Sequence, residues 1–213
     1  MEHLKLERQN TCVRTLLVGA HSEKILPVLR GDVRVMRDEA VELDLIRRSR
    51  PDLLISFGHR HVVDPEVIRE LNGNAFNVHI SLLPWNRGAD PNLWSWLQNT
   101  PRGVSLHWMS NGIDEGDLVA QRRLDLDPDN SLRSSYEALI VAAVELFAVT
   151  WRKFSLTDLP RIKQPIGGTT HRLRDKDQYS GALTNGWDTQ CREVLEYGRA
   201  RGLWVTEQNA TDL

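Results

Sequence analysis

Short apolar runs separated by polar, turn-forming stretches mark the first half of the chain. Arg14–Gly19, Val33–Met36 and Leu53–Phe57 are rich in aliphatic and β-branched residues, as parallel strands buried on both faces usually are. Between them, Ser22–Arg30 and Glu39–Arg48 each place apolar residues at helical spacing, and Pro51 marks the end of the second. The order is βαβαβ. After the turn at Gly58, Asp64 and Pro65 read as N-cap and first residue of a helix over Pro65–Leu71, followed by a strand over Ala75–His79. Pro91–Gln98, carrying Trp94 and Leu97, reads as a short helix. Gly103–Met109 and Leu118–Leu124 read as strands joined by a turn at Asn111–Asp117. From Ser131 to Phe154 the positions Leu132, Tyr136, Leu139, Ile140, Ala143, Val144, Phe147, Trp151 and Phe154 step by three and four, which predicts a long core-facing helix. Beyond Pro160 the chain is polar and turn-rich until Asp188, a candidate cap for a last helix through Ala200.

This alternation predicts an α/β protein with a Rossmann-like, mostly parallel sheet and helices on both faces, its ligands held beyond the carboxyl ends of the strands. Residues 1–155 read as the main domain. Residues 156–213 read as a C-terminal extension suited to dimerisation or acceptor binding. A chain of 213 residues with 40% hydrophobic content can bury one sizeable core. Lysine and arginine number 27 against 29 aspartates and glutamates, so no whole-chain field points to nucleic acid or an anionic membrane. Cys12 and Cys191 lack metal-type spacing and fit reduced, structural thiols. The start, MEHLKLERQNTC, has no secretory apolar stretch, and nowhere do about 18 apolar residues run together, so the expectation is a soluble cytoplasmic protein.

The candidate chemistry lies in FNVHISLLPWNRGADP and GIDEGD. Strand alternation over Ala75–His79 places Asn77 and His79 on one face, where amide and imidazole can address one carbonyl, and Asp114 could orient the imidazole. Each residue also has an ordinary reading: a buried histidine is commonly a hydrogen-bonded core residue, and asparagine and aspartate favour turns and caps. His59 and His61, with His79 or Asp114, could form a metal-ligand set, although their spacing alone is weak. Of the tryptophans, Trp94, Trp108 and Trp151 fit core positions, whereas Trp85 could stack on a ligand ring or anchor its loop.

The stretch from Phe76 to Gln121 resembles the folate-dependent formyltransferases, in whose pattern Asn77, His79, Ser81–Pro84, Arg87 and Gly88, Asp114 with Gly116 and Asp117, and Gln121 all have counterparts. Agreement is weaker from Arg14 to Val78. The resemblance implies formyl transfer from 10-formyltetrahydrofolate to an amine, with Asn77 and protonated His79 as donors to a tetrahedral oxyanion, Asp114 as their partner, and no metal. It implies a folate pocket lined by Arg60, His61, Val62, Val63, Leu83, Gly112, Ile113 and Asp117, and acceptor contacts from Trp85, Arg87 and Gly88.

For the acceptor, GAHSEK replaces the glycine-rich phosphate loop of glycinamide ribonucleotide enzymes, and the tail lacks the basic domain of the tRNA enzymes. WNRGADPNLWSW, GGTTHRLRDKDQ and GWDT look most like formyltransferases of surface-polysaccharide sugars. The expected acceptor is therefore a small molecule, a nucleotide-linked amino sugar, and the chain could form a homodimer. Alternatives are another small amine such as glycinamide ribonucleotide, hydrolysis of 10-formyltetrahydrofolate, a metal-dependent hydrolase, or a noncatalytic folate-binding module. Between Gly19 and Leu53 the chain is shorter than is usual in the family, with room for two helices and one strand.

Overall fold

The computed structural model describes residues 13–153 and 159–205; Cys12, Phe154 and the amino-terminal segment lie outside them. Six strands form the central sheet: β1 Arg14–Val18, β2 Asp32–Met36, β3 Leu53–Phe57, β4 Ala75–His79, β6 Gly103–Trp108 and β7 Leu118–Arg123. Their order is β2-β1-β3-β4-β6-β7. The first four are parallel, and β6 runs antiparallel to both β4 and β7.

Alternation within each strand sorts residues to two faces. Leu17, Leu53, Ile55, Phe57, Phe76, Val78, Val104, Leu106 and Trp108 enter one core, covered by α1 (Ser22–Ile25) and by α5 (Leu132–Lys153) through Leu139, Ala143 and Phe147. Leu16, Val18, Leu54 and Ala75 enter the other, covered by α2 (Leu43–Ser49) through Ile46 and by α3 (Pro65–Glu70) through Val67 and Ile68. The helices thus lie on both faces of a mostly parallel sheet, as the sequence pattern predicts. A third cluster joins α4 (Pro91–Leu97) to α6 (Cys191–Ala200) through Leu93, Trp94, Trp96, Leu97, Cys191 and Val194. Cys191 is fully buried there, and burial pushes its thiol up to about 11, so it is not a thiolate nucleophile near neutrality.

Local chemistry explains where elements begin and end. Asp64 accepts a hydrogen bond from Glu66 N at 2.7 Å and caps α3, with Pro65 at its first position. Ser131 Oγ accepts from Ser134 N at 3.1 Å and opens α5. The helix expected over Ser22–Arg30 is α-helical only to Ile25 and continues as a 3₁₀ turn over Leu26–Val28, because Pro27 has no N–H to give. Asp188 is not the cap of the last helix. It ends a short 3₁₀ turn, and its carboxylate accepts from Arg133 Nε at 2.8 Å and Nη2 at 3.2 Å. Gln190 occupies the cap position of α6 instead.

A pair of two-residue strands that hydrophobic pattern does not announce, β5 (Arg87–Gly88) and β8 (Thr170–His171), ties the late segment to the loop after β4. Arg87 N donates to Thr169 O at 2.8 Å and Ala89 N to His171 O at 2.9 Å. The His171 ring stacks on Trp94 with centroids 3.8 Å apart, and its Nε2–H donates to Gln98 Oε1 at 2.9 Å.

Burial pushes the His171 imidazole down to about 4 against the opposing pull of Asp175, and burial likewise lowers His21 and His59. The unfolded chain takes up these protons below about pH 6.5 while the folded chain refuses them. Stability is therefore full above that pH and declines as pH falls toward 4. The urea midpoint should be lower at pH 5 than at pH 7.5, and the difference should shrink in His171→Asn. An undiminished difference in that variant would exclude His171 as a source.

Candidate active site

The polar face of β4 and the neighbouring face of β6 build the site. Phe76 and Val78 point into the core under α5, so Asn77 and His79 point the other way, at the carboxyl end of β4. The antiparallel register sets Asn77 opposite His107 and His79 opposite Ser105. Asp114 arrives on the turn between β6 and β7 with a left-handed backbone, φ 54°.

The carboxylate of Asp114 is the hub. Its Oδ1 accepts from Asn77 Nδ2 at 3.0 Å and lies 3.3 Å from His107 Nε2. Its Oδ2 accepts from Gly88 N at 2.8 Å and lies 3.6 Å from His79 Nδ1, an ion-pair distance. Asn77 Nδ2 also lies 3.2 Å from His107 Nε2. Burial alone would raise the Asp114 carboxyl, but the charges of His79 and His107 and the Gly88 N–H outweigh it and hold the group well below the ordinary carboxylate range.

Partners fix the imidazole protons. His79 Nε2 lies 3.0 Å from Asn86 O, a carbonyl that only accepts, so Nε2 carries a proton, and Nδ1 faces Asp114. His107 Nδ1 lies 2.9 Å from Trp108 O and is likewise a donor, leaving Nε2 for Asn77 and Asp114. Asn86 is itself fully buried, its Nδ2 donating to Thr100 Oγ1 at 2.8 Å and its N to Thr169 Oγ1 at 2.9 Å.

Asn77, His79 and Asp114 are thus brought together, as the resemblance implies. His107 and Asn86 join them and are not marked by sequence reasoning, although alternation of Ser105 and His107 along β6 carries the signal for the first. Arg87 sits beside the site, but its guanidinium is engaged: Nη2 donates to Gln164 Oε1 at 2.8 Å and Nη1 to Gly167 O at 3.4 Å. Gly88 meets Asp114 through its N–H. Leu83 is buried, with its carbonyl accepting from Gln121 Nε2 at 2.8 Å and its N donating to Ser105 Oγ at 3.0 Å. Trp85 is half-buried, Ile113 is exposed, and Gly112 O accepts from Ser110 Oγ at 3.3 Å. Asp117 pairs with Lys163 Nζ at 2.8 Å.

Arg60, His61 and Val62 are exposed at the end of β3, Val63 packs on the α2/α3 core, and none hydrogen-bonds to Asn77, His79 or Asp114. His61 Nε2–H donates to Asp38 O at 2.8 Å, and among the described residues no group of three His, Cys, Asp or Glu side chains has a metal-holding arrangement. Nor is any described helix long and apolar enough to cross a membrane.

An amide, two imidazoles and a carboxylate meet at the carboxyl edge of an α/β sheet, an arrangement that can serve acyl-type chemistry. Residues 23–149 match the formyl transferase family, and the chain belongs to it. It is similar to the formyltransferase PseJ from Anoxybacillus kamchatkensis, solved in complex with UDP-4,6-dideoxy-4-formamido-L-AltNAc and tetrahydrofolate. Identity is 34% and the TM-score 0.81, over 87% of this chain and 99% of that one. It shares the fold of the N-formyltransferase from Helicobacter canadensis, solved with folinic acid and dTDP-3-aminofucose, at 16% identity and a TM-score of 0.66, over 92% of this chain and 85% of that one. It is 25% identical over 181 residues to the methionyl-tRNA formyltransferase of Acetivibrio thermocellus, covering 83% of this chain but 57% of that longer relative.

Proposed function

We propose that the protein is an N-formyltransferase that moves the formyl group of 10-formyltetrahydrofolate to the primary amine of a nucleotide-linked amino sugar. The observation that carries the chemistry is the Asp114 hub, which presents Asn77 and His79 side by side. The amine lone pair attacks the formyl carbon, and the carbonyl oxygen takes the charge. Asn77 and the His79 imidazolium supply hydrogen bonds to that oxygen, each worth roughly 3 to 4 kcal/mol when well placed. Asn77 Nδ2 lies against Asp114 Oδ1 and His107 Nε2, and both ring nitrogens of His79 are engaged, Nε2 by Asn86 O and Nδ1 by Asp114, so substrate binding exchanges at least one contact of each side chain for the formyl oxygen. The amine's proton passes to Asp114 or through water, the bond from carbon to folate nitrogen breaks, and that nitrogen is protonated on leaving as tetrahydrofolate.

The acceptor reading draws on the loop after β1. A phosphate cradle needs free backbone N–H groups. Here Gly19 N donates to Met36 O at 2.9 Å, Ala20 N to Gly58 O at 3.3 Å, His21 N to Phe57 O at 3.1 Å and Ser22 N to Gly19 O at 3.2 Å. The His21 ring closes the space, with Nε2 2.5 Å from the Tyr136 hydroxyl. This disfavours glycinamide ribonucleotide. The late segment that carries β8 is read as acceptor-side support, since β8 pairs with the strand that carries Gly88.

The test supplies 10-formyltetrahydrofolate with UDP-4-amino-4,6-dideoxy-L-AltNAc, dTDP-3-aminofucose or glycinamide ribonucleotide, and follows tetrahydrofolate release and product mass. A formyl mass gain on a nucleotide sugar is expected. Comparable turnover of glycinamide ribonucleotide, or release that ignores the acceptor, would overturn the reading.

A further inference from the structure

The turn that carries Asp114 is exposed on one side, at Asn111, Ile113 and Glu115, and its left-handed φ of 54° is uncommon for a residue with a Cβ. A side chain from a distant segment holds it. Gln164 Nε2 donates to Asp114 O at 2.7 Å and to Gly116 O at 2.8 Å. Its Oε1 accepts from Arg87 Nη2 at 2.8 Å and Nε at 3.2 Å. Every donor and acceptor of the amide is therefore used, and within Arg161–Ile166 Gln164 alone is partly buried.

β5 and the Asp114 turn are consequently joined at two points. Gly88 N–H grips the carboxylate directly, and Arg87 grips the backbone of the same residue through Gln164. One hydrogen bond is a pivot, whereas two separated attachments fix orientation.

We propose that Gln164 is a positioning residue for the formyl-transfer site, locking the Asp114 turn to β5 and so setting the carboxylate against His79 and Gly88. The proposal rests on Asp114 being the catalytic carboxylate. The Gln164 amide is spent on Arg87 and on the backbone carbonyls of Asp114 and Gly116, so it acts through the Asp114 turn. Glutamate is the discriminating replacement: it keeps the acceptor for Arg87 and the side-chain volume but sets a carboxylate against two carbonyls it cannot donate to.

In Gln164→Ala and Gln164→Glu, kcat should fall by about 10- to 100-fold, the scale on which small misplacements of catalytic groups act. KM for 10-formyltetrahydrofolate and the melting temperature should stay close to wild type. The limb of the kcat–pH profile that reports the Asp114–imidazole pair should move to lower pH, because a carboxylate drawn away from an imidazolium stabilises it less. Independently of any acceptor, the ring-nitrogen resonances of His79 and His107 should shift in both variants. Asp114→Asn is run alongside: if it retains turnover, the site assignment fails, whereas inactive Asp114→Asn beside normal Gln164 variants removes only the positioning role. Unchanged kcat, pH profile and ring resonances overturn the proposal. So do parallel losses of folate affinity, melting temperature and rate with an unmoved profile, or a failure of both variants to fold, since either marks a purely structural tie.

Discussion

Asp114→Asn is expected to lower kcat by about three to four orders of magnitude, the scale seen when an aspartate that holds a catalytic imidazole becomes an amide. The replacement is isosteric, so the loss comes from hydrogen bonding and charge rather than from packing. One carboxylate oxygen accepts from Asn77 Nδ2 and faces His107; the other accepts from Gly88 N and faces His79. An asparagine has one acceptor oxygen. Turned either way, its NH₂ meets a donor, either Gly88 N–H or the Asn77 amide. The negative charge that the facing imidazoles stabilise, and that would take the amine's proton, is also gone. Folate binding, followed by fluorescence titration, should change little, while tetrahydrofolate release in the presence of the accepted amine should nearly cease. A rate within tenfold of wild type would remove Asp114 from the mechanism.

The meeting of Asn77, His79 and Asp114 was legible in the sequence because two different codes mark these residues. Asn77 and His79 share a strand face by period-two alternation, and Asp114 sits in a turn whose spacing from them matches a known pattern. His107 was hidden for a physical reason: it joins the site only through the register of β6 against β4, and register is a tertiary fact. The same holds for Asn86, which works through its backbone carbonyl, an atom every residue has. The strand over Leu53–Phe57 and the helix over Leu132–Lys153 were legible because buried runs and long helical periods speak for themselves. The β5–β8 pairing was not, because two-residue strands are too short to show a period. Arg87 illustrates the remaining gap: its motif points to a ligand, while its guanidinium is engaged by Gln164 and Gly167, partners that only folding supplies.

Gly88→Ala should be the most damaging small substitution in the loop. Gly88 has φ 85°, and a Cβ there would stand 2.2 Å from His171 O, a backbone atom that cannot swing aside like a side chain. That carbonyl is already the acceptor for Ala89 N, so relieving the clash separates β5 from β8. The same movement carries off the Gly88 N–H that donates to Asp114 at 2.8 Å. The backbone conformation costs about 1 kcal/mol for alanine and the lost pairing adds to it, so a total near 3 to 4 kcal/mol is expected. For a chain of this size that lowers the melting temperature by about 6 to 16 °C, and activity should fall with it as the carboxylate loses its anchor. Gly186→Ala is the internal control: φ is 55°, but nothing lies within 4 Å of the added Cβ, so only the conformational cost of about 1 kcal/mol applies. If calorimetry finds the two variants equally stable, the close approach at His171 O is not what requires glycine at position 88.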